Sequence, residues 1–161
     1  MSRLRIALIV LFVGFIAYNS LNDADRDESG EIVSGGDMSA FSVRVGDCFN
    51  DPPEILDGGQ EIMDVGAVPC VEPHDNEVYA QFDLSLGAYP GDEEISVLAY
   101  DRCMESFESF VGISYAESIL DILRLTPTAE SWSQQNDREV SCAVYNIELE
   151  KLTGSMRGSG I

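Results

Sequence analysis

Tyr89-Pro90-Gly91-Asp92-Glu93-Glu94-Ile95, continued through Leu98, Ala99, Cys103, Phe107 and Phe110 to Gly112, is the stretch that decides the fold. Residues 89–94 read as a helix start, with three acids placed at the positive end of the helix dipole. Ile95, Ala99, Cys103 and Phe107 then recur at four-residue spacing, with Leu98 and Phe110 alongside, so one apolar stripe faces a core. Gly112 closes the helix. Outward from it, alternation and turn chemistry predict strands. The first covers Phe41, Val43 and Val45 and runs out near Asn50. Others follow at Met63 to Cys70, Glu77 to Leu84, Ile119 to Thr126 and Glu139 to Tyr145. In the last, Val140, Cys142 and Val144 share one face. Thr128, Glu130 and Trp132 read as a short capped turn before it. The expectation is an α+β domain: a small antiparallel sheet of about five strands with one main helix packed on it.

Four cysteines, Cys48, Cys70, Cys103 and Cys142, carry the most chemical information. No two are close enough for a C-x-x-C knuckle or redox pair, and the single histidine, His74, stands apart, so the reading is two disulfides and no metal. Cys103 on the helix stripe and Cys142 on the inward strand face would meet across the core. That leaves Cys48 with Cys70. Strict alternation turns Cys48 away from the side of Val43 and Val45, so this scheme needs a bulge near Gly46. Each bridge closes a loop of roughly 20 to 40 residues, worth about 3 to 4 kcal/mol in the chain-entropy account.

The N-terminal residues set the expected compartment. Arg3 and Arg5 precede the unbroken apolar run Ile6 to Tyr18. No cysteine follows closely enough for a lipoprotein, and Ala17-Tyr18-Asn19-Ser20 makes a poor cleavage site. Residues 1–21 are therefore read as an uncleaved single-pass anchor in the cytoplasmic membrane, its N-terminus held inside by the arginines. Residues 22–40 turn to Asp, Glu, Ser and Gly and are read as an acidic, disordered linker. The domain is then 41–161, on the extracytoplasmic side, where disulfides persist. Asp23, Asp25 and Asp27 do not make a calcium loop, because the glycine and glutamate it needs are missing. With 29 acidic against 9 basic residues the formal charge is −20. So negative a surface repels phosphate backbones, which excludes nucleic acid as a partner.

Several strings are distinctive: Val45-Gly46-Asp47-Cys48-Phe49, Val68-Pro69-Cys70-Val71-Glu72-Pro73-His74-Asp75-Asn76-Glu77-Val78, and Pro127-Thr128-Ala129-Glu130-Ser131-Trp132. Together with Asp137-Arg138-Glu139-Val140-Ser141-Cys142 and Leu152-Thr153-Gly154-Ser155, they resemble the septum formation domain family of actinobacterial membrane-anchored envelope proteins. The resemblance runs from about Phe41 to Gly160. It implies a link to the division septum or cell wall, and it brings no catalytic residues, cofactor or ligand.

The residues themselves offer few chemical candidates. His74, flanked by Glu72, Asp75 and Glu77, is the best placed for a general base, and Pro73-His74-Asp75-Asn76 is equally an ordinary turn composition. No G-x-S-x-G elbow accompanies it. Trp132 is either an inward anchor or a platform for stacking a glycan, and the adjoining capped turn favours the inward reading. The resulting expectation is a non-catalytic interaction module that needs no cofactor and meets another envelope protein or a wall component. The alternative is an envelope hydrolase using His74 and nearby carboxylates.

Overall fold

A computed structural model describes residues 23–52, 62–85 and 87–161. The expected anchor, residues 1–21, lies outside them. Among the described residues no helix is long and apolar enough to cross a membrane.

The architecture is α+β. Its strands are β1 (Asp25–Arg26), β2 (Ile32–Ser34), β3 (Gly36–Ser39), β4 (Cys48–Asn50), β5 (Asp64–Val68), β6 (Asn76–Asp83), β7 (Leu120–Leu125) and β8 (Glu139–Asn146). The main helix α1 is Asp92–Val111, and the short α2 is Ala129–Gln134. Six strands form one antiparallel sheet in the order β3-β5-β4-β6-β8-β7, while β1 and β2 pair separately. The sheet is larger than the five strands expected, because β3 is drawn from the segment read as a linker.

Helix α1 lies on one face of β6, β7 and β8. Ala99, Cys103, Phe107 and Phe110 pack there against Leu120, Ile122, Val140, Cys142 and Val144, which share that side of their strands as the alternation requires. Gly112, at φ 89°, ends the helix in the left-handed conformation that glycine adopts without steric cost. A bulge in β6 at Tyr79 shifts the register against β8 between Val78 and Ala80. Tyr79 and Ala80 therefore both turn toward the helix, and Gln81 returns to the opposite face. The Tyr79 hydroxyl donates to the Cys103 carbonyl at 2.8 Å, and its burial pushes the phenol far above its ordinary titration range. Cys103 and Cys142 are bridged across this core, with Cα atoms 5.6 Å apart.

The opposite face carries a second cluster of Val43, Phe49, Val65, Val78 and Ala143. Here the first predicted strand is corrected. Residues Ala40–Ser42 form a single 3-10 turn, and the strand itself is only Cys48–Asn50. Val43 is buried while Phe41 and Val45 are exposed, so the three do not share a face. The backbone reverses over Arg44 to Asp47, closed by Asp47 N–H donating to the Arg44 carbonyl at 3.0 Å. Gly46 sits at φ 96°, where most side chains would be strained. A turn, rather than the expected bulge, redirects Cys48 toward Cys70. These two are bridged with Cα atoms 5.2 Å apart.

The acidic stretch read as a disordered linker is structured from Asp25 onward. Ile32 is buried, and β3 pairs with β5 along Gly36–Ser39. Local hydrogen bonds absorb much of the acidity. Asp27 Oδ1 accepts from the N–H groups of Ser29 and Glu31 at 2.9 and 3.1 Å and from the Ser29 hydroxyl at 2.6 Å. Arg26 forms a two-pronged pair with the buried Asp47 carboxylate, both contacts at 2.6 Å, and Asp47 also accepts from Arg44 N–H at 2.6 Å. A polar segment can thus be ordered by one apolar anchor, one ion pair and a free sheet edge.

Candidate functional site

His74 stands in the loop that enters β6, and the chain's C-terminal segment closes over it. Its backbone exchanges hydrogen bonds with Leu152 at 3.0 and 2.8 Å, and Gly154 N–H donates to the Cys70 carbonyl at 2.7 Å. The imidazole is wholly enclosed, and its Nδ1 lies 2.8 Å from the Glu72 carbonyl oxygen. A carbonyl only accepts, so Nδ1 carries the proton in this contact. Nε2 is buried without a hydrogen-bond partner. Glu77, two residues into β6 and opposite Cys48 in the sheet, is 1% exposed. Its two carboxylate oxygens accept from the Ser155 hydroxyl at 2.6 Å and from Met156 N–H at 2.5 Å. No ion pair reaches this carboxylate among the described residues.

Asp75 points the other way. Its carboxylate pairs with Lys151 at 2.7 Å and accepts from Asp51 N–H at 3.0 Å. Asp51 in turn accepts from the Asn76 amide at 2.7 Å, and burial raises its carboxyl above the ordinary range. The structure thus brings His74 and Glu77 together beside Cys48, and separates Asp75 from them as a surface fastening. Trp132 is far from both. It is 6% exposed, with the Arg138 guanidinium 3.7 Å above its ring, Tyr89 against its edge, and its indole N–H donating to the Gly87 carbonyl at 3.1 Å. It anchors α2 inward and offers no stacking face to a glycan.

A second feature lies at the far end of β6, on the sheet face opposite α1. An open groove of about 460 Å³ is bordered by Phe41, Leu125, Thr128, Ser131, Glu139 and Ser141. Thr128 and Ser131 form the reciprocal cap of α2, and Ser131 Oγ also donates to Asp137 at 2.8 Å. Two of the lining residues share a partner in β6: Gln81 Nε2 lies 2.8 Å from both Ser141 Oγ and the Val43 carbonyl and 3.0 Å from a Glu139 oxygen. Burial, followed by the nearby Asp83 and Asp137, raises the Glu139 carboxyl above its usual range. No sequence signal singled out this groove. The hint available was that Pro127 to Trp132 and Asp137 to Cys142 both border it.

The molecule is therefore a disulfide-stapled α+β domain with a closed polar cluster at one end of its sheet and an open groove at the other. The septum formation family matches residues 28–159, and the chain belongs to that family. The match begins before β2, within the segment expected to be a linker. No curated protein and no solved structure matches the chain.

Proposed function

We propose that this protein is a membrane-anchored, extracytoplasmic interaction module of the cell envelope, non-catalytic, acting in septum formation through contact with another envelope protein or a wall component. Family membership links it to septum formation or cell division. The observation that carries the interaction reading is the open groove, where Phe41 and Leu125 meet the polar groups of Thr128, Ser141 and Glu139. Clefts of a few hundred Å³ with an apolar wall and a few convergent polar groups are the usual form of a recognition site. Topology follows from Arg3, Arg5 and the apolar run Ile6 to Tyr18, and two disulfides suit the oxidising side of the membrane. The alternative hydrolase would need His74 to meet a substrate. With its ring wholly enclosed beneath Leu152 to Met156, that would require the C-terminal segment to lift.

The test is a C-terminal fluorescent fusion, with a reporter that matures outside the cytoplasm, carrying wild-type or groove variants. Gln135 also borders the groove, and Phe41→Glu with Gln135→Trp alters this exposed rim and leaves the core intact. Septal enrichment should be lost in the variant while its thermal midpoint is unchanged, and external protease should remove the signal from intact cells. Enrichment unaffected by the variant, or a protease-protected fusion, overturns the reading.

A further inference from the structure

We propose that reduction of Cys48–Cys70 converts the enclosed cluster into a binding site for a thiophilic divalent cation of the zinc type. One ligand-type atom from each of Cys48, His74 and Glu77 lies within 4.8 Å of the others, and all three residues are buried. The imidazole is already arranged as metal-binding imidazoles are. Nδ1–H is spent on a backbone carbonyl, which fixes the ring and leaves the Nε2 lone pair free. Leaving that nitrogen buried and unpartnered is unfavourable, a penalty that a cation would remove. Glu77 is oriented in the same way, by Ser155 and Met156 N–H, and it is a buried carboxylate without a counter-charge among the described residues. Each oxygen keeps a further lone pair for a metal.

The missing element is thiolate. In the bridged state both sulfurs are oxidised and bind cations poorly, so the site is masked. The bridge is open to attack from one side only: Cys70 is half-buried at the surface, while Cys48 is fully enclosed. A dithiol reductant would place one thiolate on Cys70 Sγ, breaking the S–S bond and releasing Cys48 as a thiolate. Its second thiol then displaces Cys70 and leaves as the cyclic disulfide. The dithiol loses two electrons and two protons, and the protein gains two thiols. Zinc displaces the thiol protons and takes Cys48 and Cys70 sulfur, His74 Nε2 and a Glu77 oxygen as a closed tetrahedral set. Carbonyl and sulfur are already close on the Cys70 side, where Sγ lies 3.3 Å from the Gly46 carbonyl oxygen.

His74 is the only histidine in the chain, so one imidazole signal reports on the site without any substitution. The full chain in detergent, labelled with nitrogen-15 histidine, is titrated with zinc in bridged form and after treatment with a water-soluble phosphine. The reduced protein should bind one zinc per chain, shift the Nε2 resonance and protect Cys48 and Cys70 from alkylation. Cobalt in place of zinc should show a thiolate charge-transfer band. The bridged protein should do none of these, and Cys48→Ser with Cys70→Ser should lose the band while Cys103–Cys142 stays intact. Zinc uptake that leaves the His74 resonance unmoved, equal uptake by bridged protein, or no uptake after reduction each overturns the proposal. None of these readouts depends on septal enrichment, so the proposal stands or falls apart from the groove.

Discussion

The two disulfides differ in surroundings far more than in the loops they close. Cys103–Cys142 lies among Phe107, Val140 and Val144, with both sulfurs inside an apolar core. Cys48–Cys70 joins a buried polar cluster to a half-exposed loop beneath the C-terminal segment. Their sequence separations, 39 and 22, differ by about 0.5 kcal/mol in chain-entropy terms, which is too little to set them apart. What separates them is access and polarity. One bridge is a staple that only global unfolding exposes, and the other is a latch that a thiol can reach from Cys70.

The comparison breaks most sharply in the core. Phe107→Ala empties a wholly buried site between Tyr79 and Tyr115 and should cost about 3 to 5 kcal/mol, read as a lower denaturant midpoint. Timed reduction with peptide mapping should open Cys48–Cys70 first and leave Cys103–Cys142 until the domain unfolds. Simultaneous opening would erase the distinction between staple and latch. At the latch end, Glu77→Gln exchanges an acceptor for a donor against Met156 N–H or Ser155 and should cost about 1 to 3 kcal/mol. His74→Ala should cost about 2 kcal/mol, by lost packing and the vacated Glu72 contact. If the interaction reading holds, septal function in that variant tracks its stability.

The smallest effect concerns the groove. Glu139 holds its proton more tightly when folded, because burial and then Asp83 and Asp137 disfavour its charge. A carboxyl raised on folding lowers stability above its folded-state pKa, and that penalty fades as pH falls through it. Glu139→Gln should therefore stabilise slightly at neutral pH, by less than about 0.5 kcal/mol given its exposure, and flatten the acid side of the profile. Thermal midpoints between pH 4 and 8 would show it.

Much of the α1 side was legible because each residue there answers to a local period. The stripe from Ile95 to Phe107 and the alternation of Val140, Cys142 and Val144 fix the same interface from two directions, and the bridge between them follows. The other side resisted for physical reasons. Phe41, Val43 and Val45 alternate like a strand, yet the reversal at Gly46 takes Val43 inward and leaves its neighbours out. The strands before Ser39 carry mostly polar residues, and they are held by an edge of β5 and by Asp47, neither of which is near in sequence. In the sequence Glu77 is one of three acids flanking His74, and its burial depends on Ser155 and Met156, nearly eighty positions later. A truncation at the domain boundary expected from the sequence, removing residues 1–40, would strip β1, β2 and β3. It should expose the β5 edge and favour aggregation, whereas a cut at residue 22 should leave a soluble domain, a contrast that size-exclusion chromatography would read directly.

The covalent bridges also determine how the folded chain carries tension. A pull applied on the N-terminal side passes through β3 to Cys48, crosses directly to Cys70, runs along β6 and α1 to Cys103, and crosses again to Cys142. Strand β5, β7 and α2 lie inside the bypassed loops and feel no direct load. Under force the protein can lengthen by parting β1 from β2, by peeling β3 from the β5 edge and by extending the segments outside the two bridged loops, β6 and the first half of α1 among them. Opening Cys48–Cys70 would add the slack of residues 49–69 at once, so the redox state of that one bridge sets how far the molecule extends under load.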